Sequence, residues 1–124
     1  MKTILIVEDN EKNMKLARDI LRAKGYATLE AVNGLDGVAL ALQHQPDLVL
    51  MDIQLPDING IEALERIRAA AATAKVPVVA FTASVTANDR SRIGDAGFDG
   101  FLGKPIQLKE FLETVRRLAG EPGA

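Results

Sequence analysis

Five times along this chain a short apolar run, bounded by turn signals, gives way to a stretch with helical spacing. Alternation of that kind builds a parallel sheet with helices on both faces, because parallel strands need a crossover between them. The connections are short and no linker interrupts them, so one domain is expected over residues 1–120, with 121–124 (Glu-Pro-Gly-Ala) as a short tail. Five strands suit an α/β fold with a doubly wound sheet in the order 2-1-3-4-5. In that order the sheet reverses direction between its first and third strands, and ligands bind in the crevice at that point.

The first strand is read over Thr3 to Val7, ending in Glu8-Asp9. Asn10 is placed to cap the helix that follows, whose buried stripe is Met14, Ala17, Leu21 and Lys24 with Ile20 beside it. Leu16 lies about 100° from the middle of that stripe, so it is expected to be partly exposed. Gly25 ends the helix, and Tyr26 to Ala31 is a weaker strand. Asn33-Gly34 opens a second helix with Leu35, Val38 and Leu42 at 3-4 spacing, in which Gly37 costs about 1 kcal/mol relative to alanine. Gln45-Pro46-Asp47 breaks it. Leu48-Val49-Leu50-Met51 then runs without a break into Asp52, the pattern of a strand buried on both faces. A third helix is expected from Gly60 to Ala72, with Ile61, Leu64 and Ile67 inward and a frayed end over Ala69 to Ala74. Val76 to Phe81 is a fourth strand, ending in Thr82-Ala83-Ser84. A poorly amphipathic helix from Thr86 to Asp95 stops at Gly97, and Gly100-Phe101-Leu102 is a short fifth strand. It runs into Gly103-Lys104-Pro105, whose Lys-Pro bond is read as cis, aiming the lysine inward. The last helix carries Leu108, Phe111, Leu112, Val115 and Leu118 on one face.

Composition narrows the function. Of 124 residues, 48% are hydrophobic and 26% charged, the balance of a soluble globular protein with one core. A formal net charge of -2 offers no electrostatic case for nucleic acid or an anionic membrane as partner. The absence of cysteine excludes disulfides, thiolate metal sites and thiol nucleophiles. The first apolar run is too short for a signal-peptide core or a bilayer span, so the expected location is the cytoplasm.

The strand order brings three distant carboxylates to one crevice: Glu8 and Asp9 after the first strand, Asp52 after the third. Acids this close raise one another's pKa, and the cluster is costly unless a cation neutralises it. Oxygen ligands without His or Cys indicate a hard ion, Mg²⁺ or Ca²⁺. No twelve-residue calcium loop is present, and an open, partly hydrated site favours Mg²⁺ beside phosphate. Thr82 and Lys104 end the fourth and fifth strands at the same edge, supplying the hydroxyl and ammonium that a phosphoryl group needs. Asp52, on the most central strand, is the candidate nucleophile for an aspartyl-phosphate.

Taken together these residues resemble the receiver domain of two-component response regulators, over about residues 2–119. The marks are Glu8-Asp9, Asp52, Pro56, Gly60, Thr82 and Lys104-Pro105. The resemblance implies a flavodoxin-like or CheY-like (βα)5 fold in which Asp52 takes a phosphoryl group from a histidine kinase or histidine phosphotransfer protein. It implies that Asp9, Asp52 and the backbone carbonyl of Gln54 bind Mg²⁺, with Mn²⁺ as a substitute and Glu8 acting through water. Thr82 and Phe101 correspond to the family's switch pair, although Phe101 lacks the hydroxyl of the tyrosine often found there. Gln54 and Ser84 match positions that tune phosphate lifetime. Asn10, Asn13 and Leu16 lie where a kinase helix pair would dock, and the fourth helix, fifth strand and fifth helix form the usual output face. Such a module assists only its own phosphorylation and dephosphorylation and is not an enzyme. The stretches Val7 to Leu16 and Met51 to Pro56 resemble the DivK type, single-domain regulators of bacterial cell-cycle kinases. No effector domain follows residue 119, so output is expected through protein-protein contact, from a monomer.

Each residue alone has a plainer reading. Asp52 could be a solvated strand end, Thr82 a β-branched strand residue, Lys104 a surface lysine, Phe101 core, and Leu16 the margin of its stripe. Pro56 and Gly60 could simply shape a loop, and His44 is given no role. Other functions also compete. An aspartyl-phosphate hydrolase would carry a second acid two residues after the nucleophile, where this chain has Gln54, and a cap insertion that is missing. A flavin domain of the same topology would have a Gly, Ser and Thr-rich first loop, not Glu8-Asp9-Asn10-Glu11. A receiver cut from a hybrid kinase is disfavoured by Met1 and the short tail.

Overall fold

Side chains along a strand point alternately to its two sides, and the apolar runs of this chain feed two core layers at once. The computed structural model describes residues 1–83 and 87–123, over 87–90 through the backbone alone. The elements are β1 (Thr3–Val7), α1 (Glu11–Ala23), β2 (Ala27–Ala31), α2 (Gly34–His44), β3 (Leu48–Asp52), α3 (Gly60–Ala69), β4 (Val78–Thr82), α4 (Ala87–Ala96), β5 (Gly100–Gly103) and α5 (Leu108–Ala119). All strand pairs are parallel and the order is β2-β1-β3-β4-β5, as the alternation predicts.

Ile4, Ile6, Leu48, Leu50, Val79 and Phe81 pack on one side against Met14, Ala17 and Leu21 of α1 and Phe111, Leu112 and Val115 of α5. Leu5, Val7, Val49, Met51 and Val78 face the other way, onto Val38 and Ala41 of α2 and Ala63, Leu64 and Ile67 of α3. Every residue of β3 is buried, which is why its sequence is a continuous apolar run and not an alternation. Short-range signals also hold. Asn10 and Asn33 cap α1 and α2 by accepting from the N–H three residues on, and Asn59, which the sequence reading does not single out, does the same for α3. Gly25 and Gly97 take positive φ where α1 and α4 end. Among the described residues, no helix is long and apolar enough to cross a membrane.

Several expectations need correction. On α2 the inward residues are Gly34, Gly37, Val38 and Ala41, while Leu35 and Leu42 are exposed. The cause is a close approach: a Cβ at Gly37 would lie 2.7 Å from Val7 Cγ2, so this helix presses its smallest residues onto β1. Gly37 therefore permits packing that alanine would block. On α1 the stripe stops at Leu21, and Lys24 is the exposed C-cap. On α3 Ile61 is only half-buried, and the helix ends at Ala69. The alanine-rich stretch after it is a set of turns, not a frayed end: Thr73 is buried, donates its hydroxyl to Ile67 O at 2.6 Å, and its N–H to Ala70 O. Leu108 is 56% exposed, outside the α5 core face. The fourth helix begins one residue past Thr86, which with Ser84 lies outside the described residues.

Candidate functional site

Strand register delivers the acids to one place. Val7 pairs with Met51, so Glu8 and Asp52 each stand one residue further along neighbouring strands. Asp52 pairs with Phe81 and Thr82 with Gly103, which brings Thr82 and Lys104 to the same edge. Ligand atoms of Glu8, Asp9 and Asp52 all lie within 4.8 Å of one another. Glu8 and Asp52 are buried and Asp9 is exposed.

Lys104 closes this cluster. Its Nζ stands 2.6 Å from Glu8 Oε1 and 3.1 Å from Asp52 Oδ2, and 5.1 Å from the centroid of the Phe81 ring. Its own N–H donates to Thr82 O at 2.9 Å. The Lys104-Pro105 peptide is cis, as read from the sequence. Burial pulls the ammonium down, but hydrogen bonding to Glu8 and the charges of both acids outweigh it and hold Lys104 above its ordinary range. Burial also drives Glu8 up from 4.5 to about 7, helped by the neighbouring Asp52 and only partly countered by Lys104. Two buried acids sharing one lysine leave a negative charge uncompensated.

The donor set fits a hard divalent cation. Glu8 Oε2 is buried without a hydrogen-bond partner, and an orphaned carboxylate oxygen beside two further acids is what an ion would satisfy. The site opens through a pocket of about 440 Å³ lined by Asp9, Asn13, Asp52, Gln54, Pro56 and Lys104, among others. Gln54 N–H donates to Asp52 Oδ1 at 3.0 Å, which fixes the carboxylate and the loop after it. Gly60 is required there: a Cβ would collide with Asp52 O and lie 2.9 Å from Ile53 Cα.

Thr82 and Phe101 fall on one side of the sheet, since Phe101 pairs with Ala80 and Thr82 is two residues beyond Ala80. Thr82 is buried and Phe101 half-buried. Asn10 and Asn13 line the same open pocket; Asn10 Oδ1 accepts Asn13 N–H at 3.0 Å. Leu16 is 46% exposed on α1, as its angle from the stripe predicted. Sequence reasoning missed two contributors. Phe81 lies beneath the Lys104 ammonium, a contact that crosses two strands. Asp57, beyond Pro56 in the loop after Asp52, accepts from Gly34 N–H at 2.7 Å and Leu35 N–H at 2.9 Å.

The model of the response regulator receiver domain family matches residues 4–116. The polar-differentiation response regulator DivK of Brucella anthropi is 42% identical over 120 residues, covering 97% of this chain and 98% of that protein. DivK of Brucella abortus (strain 2308) is also 42% identical, with the same coverage. Among solved structures, the receiver domain of the sensor histidine kinase PA1611 from Pseudomonas aeruginosa PAO1 superposes with a TM-score of 0.90. It is 34% identical, covers 96% of this chain and 98% of its own, and holds a magnesium ion coordinated in its active-site cleft. A CheY-like receiver domain protein from Methanospirillum hungatei JF-1 matches with a TM-score of 0.88 and 27% identity, covering 98% of this chain and 96% of its own.

Proposed function

The chain belongs to the response regulator receiver domain family, the phosphoacceptor modules of two-component signalling, and from that premise we propose that Asp52 is its phosphorylation site. The observation that carries this is the convergence of three carboxylates within 4.8 Å with one lysine that reaches two of them. The donor is a histidine kinase or a histidine phosphotransfer protein. An oxygen of Asp52 forms a bond to phosphorus while the P–N bond of phosphohistidine breaks. The electron pair of that bond goes to an imidazole protonated at its other nitrogen, which departs neutral.

Asp9, Asp52 and the Gln54 carbonyl would hold Mg²⁺, or Mn²⁺ in its place, with Glu8 acting through water. Such an ion supplies charge neutralisation for the acids and for the arriving phosphoryl oxygens. The remaining roles fall to the chain. Lys104 exchanges its hold on Asp52 for a phosphoryl oxygen, and the Thr82 hydroxyl donates to another. Thr82 and Phe101, on one side of the sheet, carry the switch toward α4, β5 and α5. Asn10, Asn13 and Leu16 meet the phosphodonor. The module turns over no external substrate, acts in the cytoplasm as a monomer, and signals by protein contact. The full-length match to DivK supports a role in cell-cycle or polar differentiation control.

Incubation with acetyl phosphate and Mg²⁺, followed by intact-mass measurement, tests the assignment. The parent gains one phosphoryl group in a chelator-sensitive manner, and Asp52→Ala gains none. Labelling of Asp52→Ala to the parent's level overturns it.

A further inference from the structure

The loop after Asp52 is tied at three points. Gln54 N–H is held by Asp52 itself, Gly60 N–H donates to Ile53 O at 2.9 Å, and Asp57 reaches across to α2. The last tie is the long-range one. Both Asp57 oxygens are engaged, one by Gly34 N–H and one by Leu35 N–H. The neighbouring Ile58 presses on the same spot, since a Cβ at Gly34 would lie 2.5 Å from Ile58 Cγ1 and 3.2 Å from Ile58 O. Burial pulls the Asp57 carboxyl up, but the N–H groups of Leu35, Gly34, Ile58 and Asp57 itself outweigh it and hold it below the usual carboxylate range. A negative charge at the first turn of α2 is favoured by the helix dipole as well.

The same helix is locked to the other half of the acidic cluster. Gly37 sits against Val7 at a distance that no Cβ could share, and Val7 is followed directly by Glu8 and Asp9. The first turn of α2 thus fixes the Asp52 loop, and its second turn fixes β1. We propose that Asp57 is a positioning residue for the metal site: by closing on Gly34 and Leu35 it keeps the Gln54 backbone in register with Glu8 and Asp9. This rests on the reading of Gln54 as a ligand through its carbonyl. Asp57 touches neither the ion nor the phosphoryl group.

Calorimetric Mg²⁺ titration of the parent, Asp57→Ala, Asp57→Asn and Asn33→Ala tests the proposal. Asn33 caps the same helix through Asp36 N–H at 2.8 Å, so its loss weakens α2 without releasing the loop. Asp57→Ala is expected to raise the Mg²⁺ Kd about tenfold, in line with other residues that act on a metal site through its ligands. Amide exchange at Gln54 quickens in the same variant. Asn33→Ala leaves both readouts within about twofold of the parent, and Asp57→Asn, which retains one acceptor, falls between. If Asp57→Ala does not fold, Asp57→Asn against Asn33→Ala decides by the same comparison. An unchanged Kd in the Asp57 variants, or an equal shift in Asn33→Ala, overturns the positioning role while leaving the metal site intact. A parent that binds no Mg²⁺ overturns the site assignment and this role together.

Discussion

The two ends of one parallel sheet treat their carboxylates in opposite ways. At the end where strands begin, each acid meets donors that the fold itself supplies. Asp99 accepts from Val78 N–H at 2.8 Å and from Arg68 Nη2 at 2.6 Å, and Arg68 also reaches Val76 O. Asp47 accepts Thr3 N–H at 2.8 Å. The Tyr26 hydroxyl donates to Gly120 O at 2.7 Å, and Lys2 N–H to Pro122 O at 3.0 Å. At the end where strands finish, Glu8, Asp9 and Asp52 crowd together, one lysine serves two of them, and Glu8 keeps an unpartnered buried oxygen. The first end stabilises the fold, whereas the second holds repulsion in place, which the proposed cation would relieve. A residue type therefore says little about stability until its end of the sheet is known.

The largest expected effect tests the quiet end. Asp99→Ala strips the partner from Val78 N–H and frees Arg68 from the turn before β5, so it is expected to destabilise the protein by roughly 2 kcal/mol. Urea unfolding should show a lower midpoint with an unchanged slope, and Mg²⁺ affinity should not move. A neutral Asp99→Ala would break the comparison at once, because the satisfied end would then contribute nothing.

The next effect sharpens the other end and is read by pH. Metal-free Glu8 holds its proton up to about pH 7, against 4.5 for the ordinary group. The folded state thus binds a proton that the unfolded chain has released, and stability from this group is present below 4.5 and lost as pH rises through about 7. Mg²⁺ favours the ionised cluster, so below about pH 7 it must displace that proton. Its affinity is expected to rise roughly tenfold between pH 5.5 and 6.5 and to level off above 7, with proton release visible in calorimetry across two buffers. Affinity that is flat with pH would mean the crowded acids are not competing for a proton at all.

What the sequence makes legible follows the range of the interactions. Asn10, Asn33, Gly25 and the run into Asp52 are local signals, and each reports its own element. The acidic cluster is legible as well, because parallel topology turns strand ends into neighbours without any side-chain detail. The inner face of α2 is not. Gly34 and Gly37 look like weak points until Ile58 and Val7 occupy the space that their side chains would fill. Asp57 is silent for the same reason, since its partners lie 22 and 23 residues away in sequence. Leu108 shows the opposite failure: a leucine at the right spacing is left outside because α5 meets the sheet only from Phe111 onward. Contacts set by the approach of one backbone to another have no periodicity to read.

The smallest expected effect is the one whose sign matters most. Asp52→Asn keeps the side chain's shape and an oxygen for Gln54 N–H, and it leaves Lys104 on Glu8. It removes one negative charge from a position 4% exposed, next to a glutamate that is wholly buried. At pH 8, above the Glu8 value of about 7, Glu8 carries its charge in the parent and the relief is greatest. The metal-free variant is therefore expected to be more stable than the parent by about 1 kcal/mol. At pH 5 Glu8 is already neutral and the gain shrinks. Mg²⁺ at the proposed site is expected to reverse the ranking, because an ion at a hundredfold its Kd adds about 2.7 kcal/mol to the parent and much less to a variant missing one of the proposed anionic ligands. Thermal melts at both pH values, with and without Mg²⁺, separate these cases. A variant less stable than the parent at pH 8 without metal would show that Asp52 stabilises the fold as Asp99 does, and the two ends would no longer differ in kind.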